Sequence, residues 1–198
     1  MRILIVGANG TIGRAVAAEL SDRHEIVSAG RSSGDIRVDV ADLASIRAMY
    51  ARAGRLGAVA CAAGNVHFGP LEEMTPEAFD LGLRDKLMGQ VNLVLAGREF
   101  VERGGSFTLI SGILAQDPIR FGASASMVNG AIESFVRAAA VELTDHRING
   151  VSPTVLEESL GSYGPYFRGF EAVPVRRVAL AYAKSIEGAQ TGQVYRVL

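Results

Sequence analysis

The sequence predicts an α/β fold: a doubly wound, mostly parallel sheet of about seven strands with helices on both faces. Three observations carry this. Short apolar runs alternate with amphipathic ones along all 198 residues, the pattern of strand and helix taken in turn. Runs such as RILIVG and AVACAAG are apolar at successive positions, which suits strands buried between two helical layers. No repeat, tail or low-complexity stretch divides the chain, so residues 1–198 are expected to form a single domain.

Each element has its own signal. Residues 2–7 form the first strand, closed by Gly7, and RAVAAELSD continues as a helix to about Asp22. EIVSAG at 25–30 is the second strand and RVDV at 37–40 a short third one, after which Asp42 can cap a helix. GAVACAAG, 57–64, is the fourth strand. Thr75 caps the next helix, with a proline at its first position, and that helix or helix pair is expected over 76–103. SFTLISG, 106–112, is the fifth strand. A long helix over 124–143 places Val128, Ile132, Phe135, Val136 and Ala139 on one face. RINGVSP, 147–153, is the sixth strand. Residues 154–173, rich in glycine and aromatic side chains, have weak periodicity and are expected to be mobile. VRRVALAYAKSI and QVYRVL supply the last helix and strand. Right-handed crossovers then put helices on both faces.

Composition excludes several classes. A formal net charge of −1 provides no basic field for nucleic acid. The lone Cys61 forms no internal disulfide and lies in an apolar run as a small buried hydrophobe. No apolar run approaches the roughly 20 residues of a membrane helix, and no secretory leader is visible, so a cytoplasmic protein is expected. His24, His67 and His146 are widely separated, and no metal site is expected. Alanine and aliphatic stripes on the helices at 76–103 and 124–143 point to a homo-oligomer, a dimer or tetramer.

The chemistry-bearing signals begin at the first turn. Gly7, Asn9, Gly10, Thr11, Ile12 and Gly13 lie between strand and helix, where glycine permits a tight turn, backbone approach to a pyrophosphate and close helix packing. Free N–H groups at the helix start then meet phosphate. The second strand ends in SAGRSS: Arg31 stands where an NAD site often holds an acid, and a guanidinium favours a 2′-phosphate. Ser32 and Ser33 could add donors. Asp39 could meet an adenine amine or cap the following turn. Ala62, Ala63 and Gly64 leave room for a cofactor against the backbone. The expected cofactor is NADP, the expected partner a small-molecule substrate.

GANGTIG, Asp39–Val40, CAAGN, FDLGLRDKLMGQVNLV, GGSFTLISG, FVRAAAVEL and RINGVSP together resemble the short-chain dehydrogenase/reductase family over nearly the whole chain. The resemblance implies a Rossmann-like fold, a nicotinamide cofactor and an Asn, Ser, Tyr and Lys tetrad. The glycine pattern is that of atypical and extended members. The tetrad is replaced: its Asn position falls on Lys86, its Ser position on Gly112 beside Ser111, its Tyr position on Ala125 and its Lys position on Asn129. Pro153 is followed by Thr154 where the family often has glycine, and Thr154 can still donate to a carboxamide.

Hydride transfer to a ketone develops charge on oxygen that must be protonated or stabilised. Ala125 can do neither. Lys86 is therefore the candidate acid or electrostatic clamp, with Ser111 orienting the substrate and Asn129 contacting ribose. Tyr163 or Tyr166, folding in from SYGPYFRGF, is a second source of a proton. The expectation is an NADP(H)-dependent oxidoreductase with a non-standard catalytic set. The alternative is a catalytically inactive NADP-binding regulator or sensor. An epimerase is weaker, because such enzymes also rely on Tyr and Lys.

Overall fold

A computed structural model describes residues 1–198. Seven strands form one sheet in the order β3-β2-β1-β4-β5-β6-β7, and every pairing is parallel. The strands are β1 (Arg2–Val6), β2 (Glu25–Gly30), β3 (Ile36–Arg37), β4 (Leu56–Cys61), β5 (Val101–Ile110), β6 (Arg147–Pro153) and β7 (Val194–Val197). The helices are α1 (Thr11–Leu20), α2 (Leu43–Ala53), α3 (Pro76–Leu81), α4 (Gly89–Gly97), α5 (Ala123–Glu142), α6 (Leu160–Tyr163) and α7 (Val175–Glu187).

Side-chain alternation along the strands divides the core in two. Leu4, Val6, Val59, Cys61, Phe107 and Leu109 face α2, α4 and α5 through Ile46, Met49, Tyr50, Leu93, Ile132 and Val136. Ile3, Ile5, Ala58, Ala60 and Val151 face α1 and α7 through Val16, Leu20, Val178, Tyr182 and Ile186. Val128, Ile132 and Val136 of α5 are fully buried, each contributing about 1.5–3 kcal/mol. Asp42 accepts from Ala44 N and Thr75 from Ala78 N, so both expected caps are present.

Three boundaries are corrected. The helix expected to reach 103 ends at Gly97, because Val101 already pairs with Leu56. β5 thus starts five residues before the expected 106, and a register shift near Gly57 absorbs the Gly104–Gly105 pair. β3 occupies 36–37 rather than 37–40, because Asp39 and Val40 turn away toward α2. Between α3 and α4 the chain makes a π-helical segment, Gly82–Met88. Its wider turn is housed by two glycines: a Cβ at Gly82 would press on Ser124 Oγ at 3.1 Å, and one at Gly89 on Val40 Cβ at 3.1 Å. Residues 157–166 form three short helical turns, two of them 3-10. In the single chain Met88, Leu95, Met127 and Val141 stay exposed.

Candidate active site

The strand order reverses between β1 and β4, where open α/β sheets form their ligand crevice. Gly7 leaves β1 with φ of 85°. A Cβ there would meet Ala62 O at 2.8 Å and Ala63 Cβ at 2.9 Å; one at Gly13 would lie 2.1 Å from Gly7 O. Both glycines therefore hold the turn against β4 and α1. Gly10 caps α1 without a side-chain hydrogen bond. The N–H groups of Thr11, Ile12 and Gly13 have no backbone acceptor, the first helical bond being Arg14 N to Gly10 O. Three free donors at the positive end of a helix form a seat for an anion. Asn9 Nδ2 donates to Ser33 Oγ at 2.5 Å, tying the turn to the loop after β2. Ser32 is exposed.

The crevice opens into a cleft of about 280 Å³. Ile12, Ala62, Ala63, Gly64, Lys86, Ser111, Asn129, Pro153 and Thr154 all line it. The apolar Val66, Leu114 and Ala125 line it as well. Ala125 packs with Ile113 and Leu114 as an apolar patch on the cleft wall. Tyr163 also reaches the cleft, whereas Tyr166 does not.

Lys86, in the π segment, directs its ammonium across the cleft and donates to Ser111 O at 3.3 Å. Gly64, with φ of 134°, makes this possible: a Cβ there would lie 2.7–2.9 Å from the Cγ, Cα and Cβ of Lys86. Burial lowers the amine to about 8. The nearby Cys61 thiol is pushed up to about 12 by its own burial and stays neutral. Asn129 is buried, and its Oδ1 has no hydrogen-bond partner. A Cβ at Gly112 would stand 3.0 Å from Asn129 Nδ2, a tight approach that keeps the two close.

One expected role is corrected. Ser111 is buried, and its hydroxyl is taken up by Glu133 Oε1 at 3.1 Å and Val151 O at 3.4 Å. It offers the cleft its carbonyl rather than an orienting hydroxyl. Asp39 caps the turn that follows it: Oδ1 accepts from Ala41 N and from Arg31 Nη2, each at 3.1 Å, and Oδ2 has no partner on a side chain that is 49% exposed. Arg31 Nη2 also donates to Asp85 Oδ1 at 3.2 Å. Only that one nitrogen is engaged, and the side chain is 58% exposed, so Nε and Nη1 still present donors outward.

The sequence reading missed Asp85. It is buried and gathers Arg31, Asn65 N at 2.9 Å and Asn65 Nδ2 at 2.5 Å. It thereby joins β2, β4 and the π segment around a smaller cavity beside Gly7. The only available signal was its place next to Lys86 in RDK. Glu133 was missed as well; it is buried and bound by Ser111 and by Gln116 Nε2 at 2.6 Å. No group of His, Cys, Asp and Glu is arranged to hold a metal ion, and no helix is long and apolar enough to cross a membrane.

Fold and glycine turn together define a Rossmann-type α/β domain with its crevice at the topological switch. Residues 6–192 match the family described as enoyl-(acyl carrier protein) reductase, and the chain belongs to this family of short-chain dehydrogenases/reductases. Among solved structures it is similar to the protein lin1944 from Listeria innocua, with 48% identity, a TM-score of 0.99 and full coverage of both chains. A small-chain dehydrogenase in complex with NADPH shares the fold at 22% identity and a TM-score of 0.89, over 100% of this chain and 96% of that one. Trihydroxynaphthalene reductase of Colletotrichum orbiculare is 32% identical over 176 residues, 76% of this chain. The chain spans 62% of the length of that curated relative.

Proposed function

We propose that this protein is an NADP(H)-dependent oxidoreductase acting on a small carbonyl or alcohol, with Lys86 in place of a tyrosine as its proton donor. One observation carries the reading. The Lys86 amine and the unpartnered Oδ1 of Asn129 lie on the walls of one cleft that also contains Ile12 of the glycine turn. The family's lysine and asparagine have thus exchanged helices. The reductase names among the relatives and the NADPH-bound structural neighbour support the same chemistry.

The residues present fit a dinucleotide. The three free N–H groups of α1 suit its pyrophosphate, and Asn129 Oδ1, buried and in need of a donor, suits a ribose hydroxyl. Thr154 beside Pro153 can donate to a carboxamide. A bound nicotinamide supplies the hydride. Lys86 holds a proton on Nζ and delivers it to the substrate oxygen as charge develops there. The Ser111 carbonyl keeps that ammonium aimed across the cleft. Val66, Leu114 and Ala125 give the reacting end apolar walls, which strengthens the electrostatic effect of the ammonium.

Stopped-flow measurement of NADPH oxidation across aldehydes, ketones and quinones tests the reading. Turnover with at least one acceptor is expected. Tight NADPH binding without turnover on any of them favours a non-catalytic binder, the reading supported by the apolar patch at Ala125.

The cofactor preference is separately testable. NADP(H) should bind more tightly than NAD(H), and Arg31→Ala should lower NADP(H) affinity by roughly 1.5–3 kcal/mol, the value of a charge-assisted hydrogen bond, with little effect on NAD(H). Calorimetric titration of both cofactors into both proteins decides this. Equal affinities in the wild type would remove the assignment of Arg31 to a 2′-phosphate.

A further inference from the structure

Three segments meet beside the cleft. Residues 68–70 follow β4, residues 119–121 precede α5, and residues 163–166 lie in the helical turns after β6. Phe68, Pro70, Ile119, Phe121, Tyr163 and Tyr166 line a second cavity of about 380 Å³, a size that suits a small organic ligand. Phe68 and Tyr163 also line the inner cleft, so the two spaces share a wall. That wall is an aromatic contact pair. The two rings stand 6.2 Å apart and are tilted by 54°.

The outer chamber exposes unusual groups. Phe68, Tyr163 and Tyr166 are 38%, 44% and 50% exposed, and clustered apolar exposure in a concave site marks a binding surface. Phe121 is the only residue other than glycine in the left-handed backbone region, with φ of 67°. Such backbone favours glycine or asparagine, and strained positions of this kind gather at ligand sites. Its carbonyl accepts from Gly69 N at 3.1 Å, which locks two of the three segments together. Its ring meets Tyr166 edge-on at 6.1 Å. Just beyond, Arg120 and Arg168 line the rim with Phe121 and Tyr166. Arg120 Cζ lies 5.5 Å from the centre of the Phe121 ring. Neither arginine is in an ion pair.

We propose that this chamber is a substrate subsite for a planar aromatic body bearing an acidic group, packed against Phe121 and Tyr166 with its anion toward Arg120 and Arg168. The flat faces of the rings select a planar partner by stacking. The unpaired guanidiniums select a carboxylate by charge and fork geometry. The substrate is then an aryl carbonyl acid whose reacting oxygen reaches Lys86 by parting the Phe68–Tyr163 pair that separates the two spaces. That last clause rests on the reading of the inner cleft given above; the binding chemistry of the chamber does not.

Calorimetry without cofactor tests the chamber alone, using 2-naphthoate, cyclohexanecarboxylate and 2-naphthalenemethanol as probes. The naphthoate should bind at least about 10-fold more tightly than either of the others, one lacking the flat face and the other the charge. Phe121→Gly suits the local backbone and should fold, and it should lose about 10-fold in naphthoate affinity. Tyr166→Leu, at an exposed position, serves as a second variant and should lose a similar factor. R120M/R168M should abolish the preference for naphthoate over the alcohol. Equal binding of naphthoate and cyclohexanecarboxylate, or unchanged naphthoate affinity in both ring variants, would overturn the proposal. Naphthoate binding as expected in a protein that oxidises no NADPH keeps the chamber and discards the reaction. Turnover of small ketones without selective naphthoate binding does the reverse.

Discussion

Lys86→Met should lower the rate of NADPH oxidation by about 10²–10⁴, the usual contribution of a positioned general acid. Methionine keeps the length and apolar stem of lysine and removes only the ammonium. Cofactor affinity should change little, because the phosphates are assigned to the far end of the crevice at Thr11, Ile12 and Gly13. The pH profile separates proton donation from mere packing. Burial brings the amine from its ordinary 10.5 to about 8, so it is charged at neutral pH yet acidic enough to release its proton. Reduction needs the protonated form, and the wild-type rate should fall as pH rises through about 8. The oxidative direction should rise over the same range. In Lys86→Met both inflections should be absent.

The same shift has a consequence for stability. Between about pH 8 and 10.5 the unfolded chain binds the proton on Lys86 and the folded chain has released it. Stability therefore rises with pH across that window, and the penalty of holding a buried ammonium is fully present below it. Lys86→Met should lack this slope in urea titrations taken at successive pH values. A mutant with the wild-type rate and the wild-type pH profile would eliminate Lys86 as the donor.

Much of this framework was legible in the sequence because local signals and burial agreed. EIVSAG and RINGVSP form strands at their expected bounds, 25–30 and 147–153, since apolar runs between turn residues admit one reading. Asp42 and Thr75 cap as expected. Failures arose where tertiary pairing overrode local pattern. VERGG reads as a helix end and loop, yet Val101 is drawn into the sheet opposite Leu56. The π segment was invisible, because helical periodicity assumes 3.6 residues per turn. That is why Asp85 was missed although it adjoins Lys86. Lys86 and Asn129 could be singled out by counting from family motifs, and both line the cleft. The outer chamber could not, because its walls come from three loops whose proximity no spacing encodes.

Gly13→Ala should both destabilise the fold and abolish cofactor binding. By helix propensity alone the change should help, since alanine gains up to about 1 kcal/mol over glycine inside a helix. Sterics decide otherwise. The added Cβ would stand 2.1 Å from Gly7 O and 2.7 Å from Ala8 Cα. Both are backbone atoms, and neither can swing aside as a side-chain end can. α1 must therefore move off β1, carrying its free N–H groups away from the crevice. The cost should reach or exceed the top of the roughly 1–3 kcal/mol range for overpacked sites, a fall in Tm on the order of 6–12 °C for a chain of this size. Gly7→Val should act in the same direction, since φ of 85° and a contact of 2.8 Å with Ala62 O both oppose a side chain. Gly10→Ala separates folding from binding. Its Cβ meets Gly7 O at an ordinary 3.4 Å and nothing closer, so its Tm should match the wild type. A methyl group at the helix cap nevertheless stands where a pyrophosphate would approach, and NADPH affinity should drop. Thermal melts with and without NADPH, followed by calorimetry, read both effects. A Gly13→Ala protein with wild-type Tm and wild-type affinity would show that the close contact between α1 and β1 is not what holds the site, and unchanged NADPH affinity in Gly10→Ala would place the phosphates elsewhere.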